Sequence, residues 1–366
     1  MPLIIDAHQD LAYNMLTLQR DYRRSVAETC AIEENNPDIF KRAGKSLLGW
    51  PEYQRGQVGL IIATIFTMAE KHSSGEWDQI VYHSFQEARQ QHQQQMDIYH
   101  RLCQENSDMF ALVRTKADLH NVLAPWQQSP ADYPQTTHPV GLLVSMEGAE
   151  GIEHPDQLYE WWQAGLRIIG PVWAGGRYCG GSMEPGEFTP EGWALLDTMA
   201  EIGFPMDIAH MNERSACQAL DRFPGTVIAS HGNARALIKE DPHQRQFSDE
   251  VLKQLIQRDG IVGMLPYNGF LVSDWKKGED RQRVTLQHVV ANIDHICQMA
   301  GNTRHVGIGT DFDGGFGWPD VPLELDTIAD LPLLVPLLAE KGYSEADIKA
   351  IFHGNWQRFL ENVLPE

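Results

Sequence analysis

A chain of 366 residues with 42% hydrophobic content can build a sizeable core and lies far from disordered compositions. Its 50 acidic against 29 basic side chains give a formal charge of −21, which argues against nucleic acid or an anionic membrane as partner. No apolar run has the length of a membrane-spanning helix, and no basic-then-apolar pattern of a secretory signal is visible, so none is expected. The five widely spaced cysteines, without a C-x-x-C pair, read as reduced thiols, so a cytoplasmic protein is expected.

In chain order, the first apolar run, Leu3-Ile4-Ile5, leads into Asp6-Ala7-His8-Gln9-Asp10. After a long excursion over 14–57 comes a second run, Val58–Phe66. Helical spacing then marks 79–112, whose Gln-rich middle reads as a solvated face. Another excursion, 113–139, precedes Val140–Val144, which leads into Ser145-Met146-Glu147. Leu166–Val172 is the fourth run. Thr189-Pro190-Glu191 caps a helix through Ala200, and Phe204–Ile208 then leads into Ala209-His210. Val227–Ser230 leads into His231, Ser248 opens a helix to Arg258, and Ile261–Pro266 follows. Val306–Thr310 leads into Asp311, and Ser344 opens the last helix, towards Val363.

Nearly continuous apolar runs of this length suit strands buried on both faces, and strands alternating with helices imply a parallel sheet. Eight such units, with no glycine-rich phosphate loop after the first, favour a closed barrel over an open dinucleotide-binding sheet. The expected fold is α/β: a single (βα)8 TIM barrel of the metallo-dependent hydrolase type over 1–366, with 14–57 and 113–139 as insertions.

Five of the eight runs end on residues that bind metals or move protons. In an extended segment His8 and Asp10 share a side, and Asp6 shares it with them as a supporting residue. His210 and His231 end consecutive strands and are expected to be neighbours. Glu147 ends a buried strand, where an acid has little reason to be unless exposed or paired. Any one of these alone reads as an ordinary core or loop residue; together they form a mixed histidine–carboxylate set sufficient for two metals with one bridging carboxylate. Asp311 reads as a proton carrier, with a simple turn as the competing interpretation; for Asp313 before Gly314 the turn is preferred. Cys179 has no identifiable base, so an ordinary thiol is preferred to a nucleophile.

These residues carry a resemblance. Asp6-x-His8-x-Asp10-Leu11, Arg55-Gly56-Gln57-Val58-Gly59, Met146-Glu147-Gly148 and Asp207-Ile208-Ala209-His210 occur in family order. They are followed by Ser230-His231, Gly309-x-Asp311-Phe312-Asp313-Gly314 and Gly354-Asn355-Trp356. The chain resembles the membrane (renal) dipeptidase family, peptidase family M19. That resemblance implies two zinc ions per chain, one on His8 and Asp10, one on His210 and His231, with Glu147 between them and Asp311 handling the proton. It further implies that Arg245 receives the substrate carboxylate, reached through a small insertion after His231, and that Tyr267 lies near the substrate. Counting six from Arg167, Trp173 stands where the family has a substrate-contacting histidine; Arg177 or Tyr178 are candidate replacement donors.

The leading expectation is therefore a binuclear zinc dipeptidase acting on dipeptides or similar small amides through a metal-bridging hydroxide. The ligand types also admit Mn, Fe or Co. Trp173 motivates one alternative, an amidohydrolase-type enzyme for an N-acyl amino acid, lactone or other amide; a non-catalytic metal-binding barrel is another. Expected partners are a small-molecule substrate, without nucleic acid or membrane, and a homodimer is compatible.

Overall fold

The computed structural model of the chain describes residues 1–73, 75, 78–241 and 245–366. Eight parallel strands form its centre: β1 (Ile4–Gln9), β2 (Val58–Phe66), β3 (Val140–Glu147), β4 (Leu166–Gly170), β5 (Met206–Asp207), β6 (Val227–Ile228), β7 (Val262–Met264) and β8 (Val306–Ile308). Each pairs with its successor: Ile4 with Val58, Leu60 with Gly141, Val144 with Leu166, Ile169 with Met206, Met206 with Val227 and Val262 with Val306. A bridge between Ala229 and Val262 joins β6 to β7, and Asp6 opposite Ile308 joins β8 back to β1, so the sheet closes into a barrel. All strand residues are buried, which explains why their sequences lack the alternation of a half-exposed sheet.

Several boundaries differ from those the sequence suggested. β4 stops at Gly170, because Pro171 has no N–H to continue a ladder, and β7 covers only Val262–Met264, ahead of Pro266. The helix expected over 79–112 is Phe85–Glu105. Ser84 caps it by accepting from Glu87 N, while Val81–Tyr82 pairs with Met68–Ala69 and Phe110–Leu112 lies beside the start of β3. The expected caps Thr189, Ser248 and Ser344 accept from Gly192, Val251 and Asp347.

The excursion 14–57 folds into helices Val26–Glu33, Pro37–Ala43 and Trp50–Gly56, and 113–139 contributes the helix Lys116–Gln128. One hydrophobic core runs from Leu3 to Leu364. The Gly354-Asn355-Trp356 segment secures the start of β8: Asn355 Nδ2 donates to Thr303 O at 2.6 Å and Val306 O at 2.8 Å, and Trp356 Nε1 donates to Ile308 O at 2.8 Å. Just beyond β8, a side chain at Gly309 would collide with the Ser230 carbonyl, so this position lets β6, β7 and β8 approach closely.

Candidate metal centre

The C-terminal ends of the barrel strands present the candidate donors. His8 is the fifth residue of β1, Asp10 follows that strand, and Glu147 is the last residue of β3. His210, His231 and Asp311 each lie three residues beyond the end of β5, β6 and β8. Three buried polar side chains tie these ends together. Asp6 Oδ1 accepts from Thr310 N at 2.8 Å and Oδ2 from Gln9 Nε2 at 2.6 Å, binding β1 to β8. Asp207 Oδ1 accepts from Ala209 N at 3.0 Å and Ser230 N at 2.9 Å, joining the loop that carries His210 to the one that carries His231. Ser230 Oγ lies 2.8 Å from His231 Nδ1, which turns Nε2 of that ring towards the centre.

The inward atoms converge on Glu147. Its Oε1 lies 2.8 Å from His210 Nε2, 3.5 Å from His8 Nε2 and 3.6 Å from His231 Nε2. His8 Nε2 is also 3.7 Å from Asp10 Oδ2 and 3.9 Å from Asp311 Oδ1, and the Nε2 atoms of His210 and His231 are 2.9 Å apart. Three overlapping groups could each hold an ion: His8–Asp10–Glu147, Glu147–His210–His231 and His8–His231–Asp311. His8 Nε2 and Asp10 Oδ1 are buried and have no hydrogen-bond partner among the described residues. Buried polar atoms are rarely left so, and histidine and carboxylate atoms converging on a common centre fit metal ions.

The electrostatics agree with that fit. Burial works against charge on His8, but Glu147, Asp10 and Asp311 outweigh it and hold its pKa up at about 10. Burial raises Glu147 to about 8 and pushes Asp311 well above the carboxylate range. Burial, then Arg245 and His8, depress both His210 and His231 well below ordinary histidine values, favouring neutral imidazoles suited to a metal. Three carboxylates crowded this closely call for positive charge beyond the protein's own.

Above the donors opens a cavity of about 520 Å³, floored by Asp10, Glu147, His210 and Asp311. Tyr13, Phe66, Met68 and Trp173 make an apolar wall: the Trp173 ring centre is 5.0 Å from Phe66 and 6.2 Å from His210. Arg245 is buried, with Nη2 3.4 Å from His210 Nε2 and 3.5 Å from the His231 carbonyl; its Nη1 has no hydrogen-bond partner among the described residues. Tyr267 packs between Phe270 and Phe316 and is not among the described residues lining the cavity. Burial, then Asp320 and Asp311, lift its pKa to about 12.

Other expectations need correction. Arg177 donates to the carbonyls of Ile152 and Glu153, and the Tyr178 hydroxyl donates to Ile152, so neither replaces a donor at Trp173. Asp313 is more than a turn: fully buried, it accepts from Tyr22 Oη at 3.0 Å, Ser46 Oγ at 2.7 Å and Leu47 N at 2.8 Å, and pairs with Arg20 at 3.0 Å. Burial pushes the Cys179 thiol up, away from nucleophilic behaviour. The sequence pattern did not single out Tyr13, Lys41, Arg42 or Lys277, which also line the cavity: Tyr13 from the helix after β1, Lys41 and Arg42 from the first excursion, and Lys277 from a late loop. Their only sequence signal was membership of segments outside the barrel pattern.

Comparison with known proteins gives the same picture. An uncharacterized protein from the pqqA 5′ region of Klebsiella pneumoniae is 29% identical over 61% of this chain and 82% of its own length. Dipeptidase ataJ of Aspergillus terreus is 26% identical over 98% of this chain and 84% of its own. A Rhodobacter sphaeroides metallo peptidase, solved with a phosphinate mimic of L-Ala-D-Ala, superposes with a TM-score of 0.77. Its identity is 21%, and the match covers 99% of each chain, so it establishes a shared fold. The family described as membrane dipeptidase (peptidase family M19) matches residues 1–364. The chain, a closed barrel with histidines and carboxylates gathered at its strand ends, therefore belongs to the membrane dipeptidase family of metallopeptidases.

Proposed function

We propose that the protein is a binuclear zinc dipeptidase. The observation that carries this reading is the sharing of donors: His8, Glu147 and His231 each belong to two of the three metal-competent groups, and Glu147 reaches all three histidines. In this arrangement His8 and Asp10 would hold one ion, His210 and His231 the other, and Glu147 would serve both. When bound, the ions supply Lewis acidity towards the scissile carbonyl and make a water molecule easier to deprotonate.

The chain's own residues do the rest. Asp311, a carboxylate at the cavity floor with Oδ1 3.9 Å from His8 Nε2, takes a proton from the attacking water and delivers it to the departing amine nitrogen. Arg245, with an uncommitted Nη1 beside the donors, binds the free carboxylate of a dipeptide; a guanidinium is the side chain best shaped for that task. The apolar wall of Phe66, Met68 and Trp173 excludes water and packs substrate carbons.

The test is turnover of a dipeptide panel, including D-residues at the C-terminal position, with metal content measured in parallel. Two metals per chain and hydrolysis are expected. Two metals without hydrolysis of any dipeptide would overturn the reading. A second reading, an enzyme for another small amide, an N-acyl amino acid or a lactone, is favoured by Trp173 over His210. Preference for such substrates over every dipeptide in the same screen would select it.

A further inference from the structure

The whole chain is strongly acidic, yet the cavity above the donors is lined on its rim by Lys41, Arg42 and Lys277. The carboxylates that line this cavity, among the described residues, are Asp10, Glu147 and Asp311, and all three belong to the donor set on its floor. So Lys41 and Lys277 bring to the mouth positive charge that the donor set does not neutralise. Two elements build it. Lys41 and Arg42 sit in the last turn of the helix Pro37–Ala43, in the first excursion. Lys277 comes from the loop beyond Tyr267, and its Nζ donates to Gly315 O at 2.8 Å and to the Arg42 carbonyl.

Those two carbonyls hold the ammonium over the loop that follows Asp311. An ammonium has three N–H groups, so one is left to donate. Among the described residues no carboxylate lies within ion-pair distance of Lys277 or Lys41. The rim lies apart from Arg245, which is placed against His210 and His231, whereas Lys277 adjoins Gly315 on the Asp311 side. A substrate lying across the donors can thus meet a cationic group at each end.

We propose that this rim is a second anion-reading subsite, and that the preferred substrates are dipeptide-like amides bearing an acidic side chain as well as the carboxylate assigned to Arg245. The inference rests on the dipeptidase reading above. Lys277 and Lys41 are the specificity-determining residues. Both are solvent-exposed, so each contributes a modest, salt-screened attraction.

The experiment compares kcat/KM of metal-loaded protein for dipeptides that differ only in Asp against Asn or Glu against Gln, with the acidic residue placed first or second. Wild type is expected to favour the acid about five- to tenfold at one of the two positions, which also identifies the end that faces the rim. Lys277→Met and Lys41→Met each lower that ratio about two- to threefold, and the double variant brings it close to one. Lys277→Arg, which keeps the charge, retains it, and Lys253→Met, on a distant exposed helix face, leaves it unchanged. Raising salt from about 0.05 to about 0.5 M shrinks the wild-type ratio but not that of the double variant.

An acid-to-amide ratio of one at both positions, or a ratio that survives the double substitution, would overturn the proposal. Should no dipeptide be hydrolysed, the dipeptidase reading fails separately. Calorimetric binding of glutamate against glutamine to the metal-loaded protein then still decides the rim, since equal affinity in wild type refutes it and a preference lost in the double variant supports it.

Discussion

His210, Asp311 and Asp313 adopt left-handed backbone, with φ of +68°, +55° and +64°, a region that a β-carbon makes unfavourable. Two of the three are candidate active residues, and the strain directs their side chains into the mouth instead of along the next strand. At Asp311 the fit is tight, because a side chain at Gly314 would strike its carboxylate. Replacing Asp311 with Asn keeps this shape but removes the proton acceptor. Asp311→Asn is expected to lower kcat by about 10²- to 10⁴-fold while zinc content, measured by elemental analysis, stays at the wild-type value. A fall in zinc content would instead make Asp311 a ligand, as its grouping with His8 and His231 allows. At this scale much was legible: an acid or histidine ending a buried apolar run is conspicuous. Which ring nitrogen faces the centre was not, since that depends on Ser230 and on side chains from other strands.

The first excursion is attached to the barrel through Asp313, and its anchoring is an element-scale property. Arg20 and Asp313 form an ion pair with both side chains fully buried, reinforced by Tyr22 and Ser46. Asp313→Ala leaves Tyr22 Oη, Ser46 Oγ and Leu47 N without their acceptor and Arg20 with Glu33 as its remaining carboxylate, so a loss of about 2–4 kcal/mol in unfolding free energy is expected in denaturant titration. Sequence alone read Asp313 as a turn residue, because its partners lie some 270 to 290 positions away and no local pattern announces them. The helix Phe85–Glu105 makes a second case. His92 on its inner face is fully buried, and neither ring nitrogen has a hydrogen-bond partner among the described residues. Burial alone depresses its pKa to about 3. The unfolded chain therefore binds a proton that the native state refuses, and stability is lost as pH falls below about 6.5. His92→Leu is expected to remove this penalty. The variant's gain over wild type in unfolding free energy should be about 2 kcal/mol larger at pH 5 than at pH 8; an equal gain at both pH values would contradict it.

At the scale of the whole molecule, the donor set joins the ends of strands β1, β3, β5, β6 and β8, so ions bound there stabilise the closed barrel as well as the site. Chelation is expected to lower the melting temperature. Each ion present at about 100 times its dissociation constant contributes roughly 2.7 kcal/mol, measurable by comparing thermal melts in chelator and in zinc. The helices, caps and barrel order were readable from apolar runs and capping residues because these are short-range patterns. So was the nomination of His8, Asp10, Glu147, His210, His231 and Asp311, since chain position relative to a strand end specifies the mouth of a parallel barrel. Only the tertiary structure decided how the insertions dock, that Asp313 is a buried anchor, that Arg177 and Tyr178 turn away, and that lysines from two separate segments rim the cavity. These features depend on contacts such as that of Asn14 Nδ2 with the Asp313 carbonyl, 299 residues apart. Local sequence encodes which surface an element buries, whereas the partner that covers it is set by the packing of the folded chain.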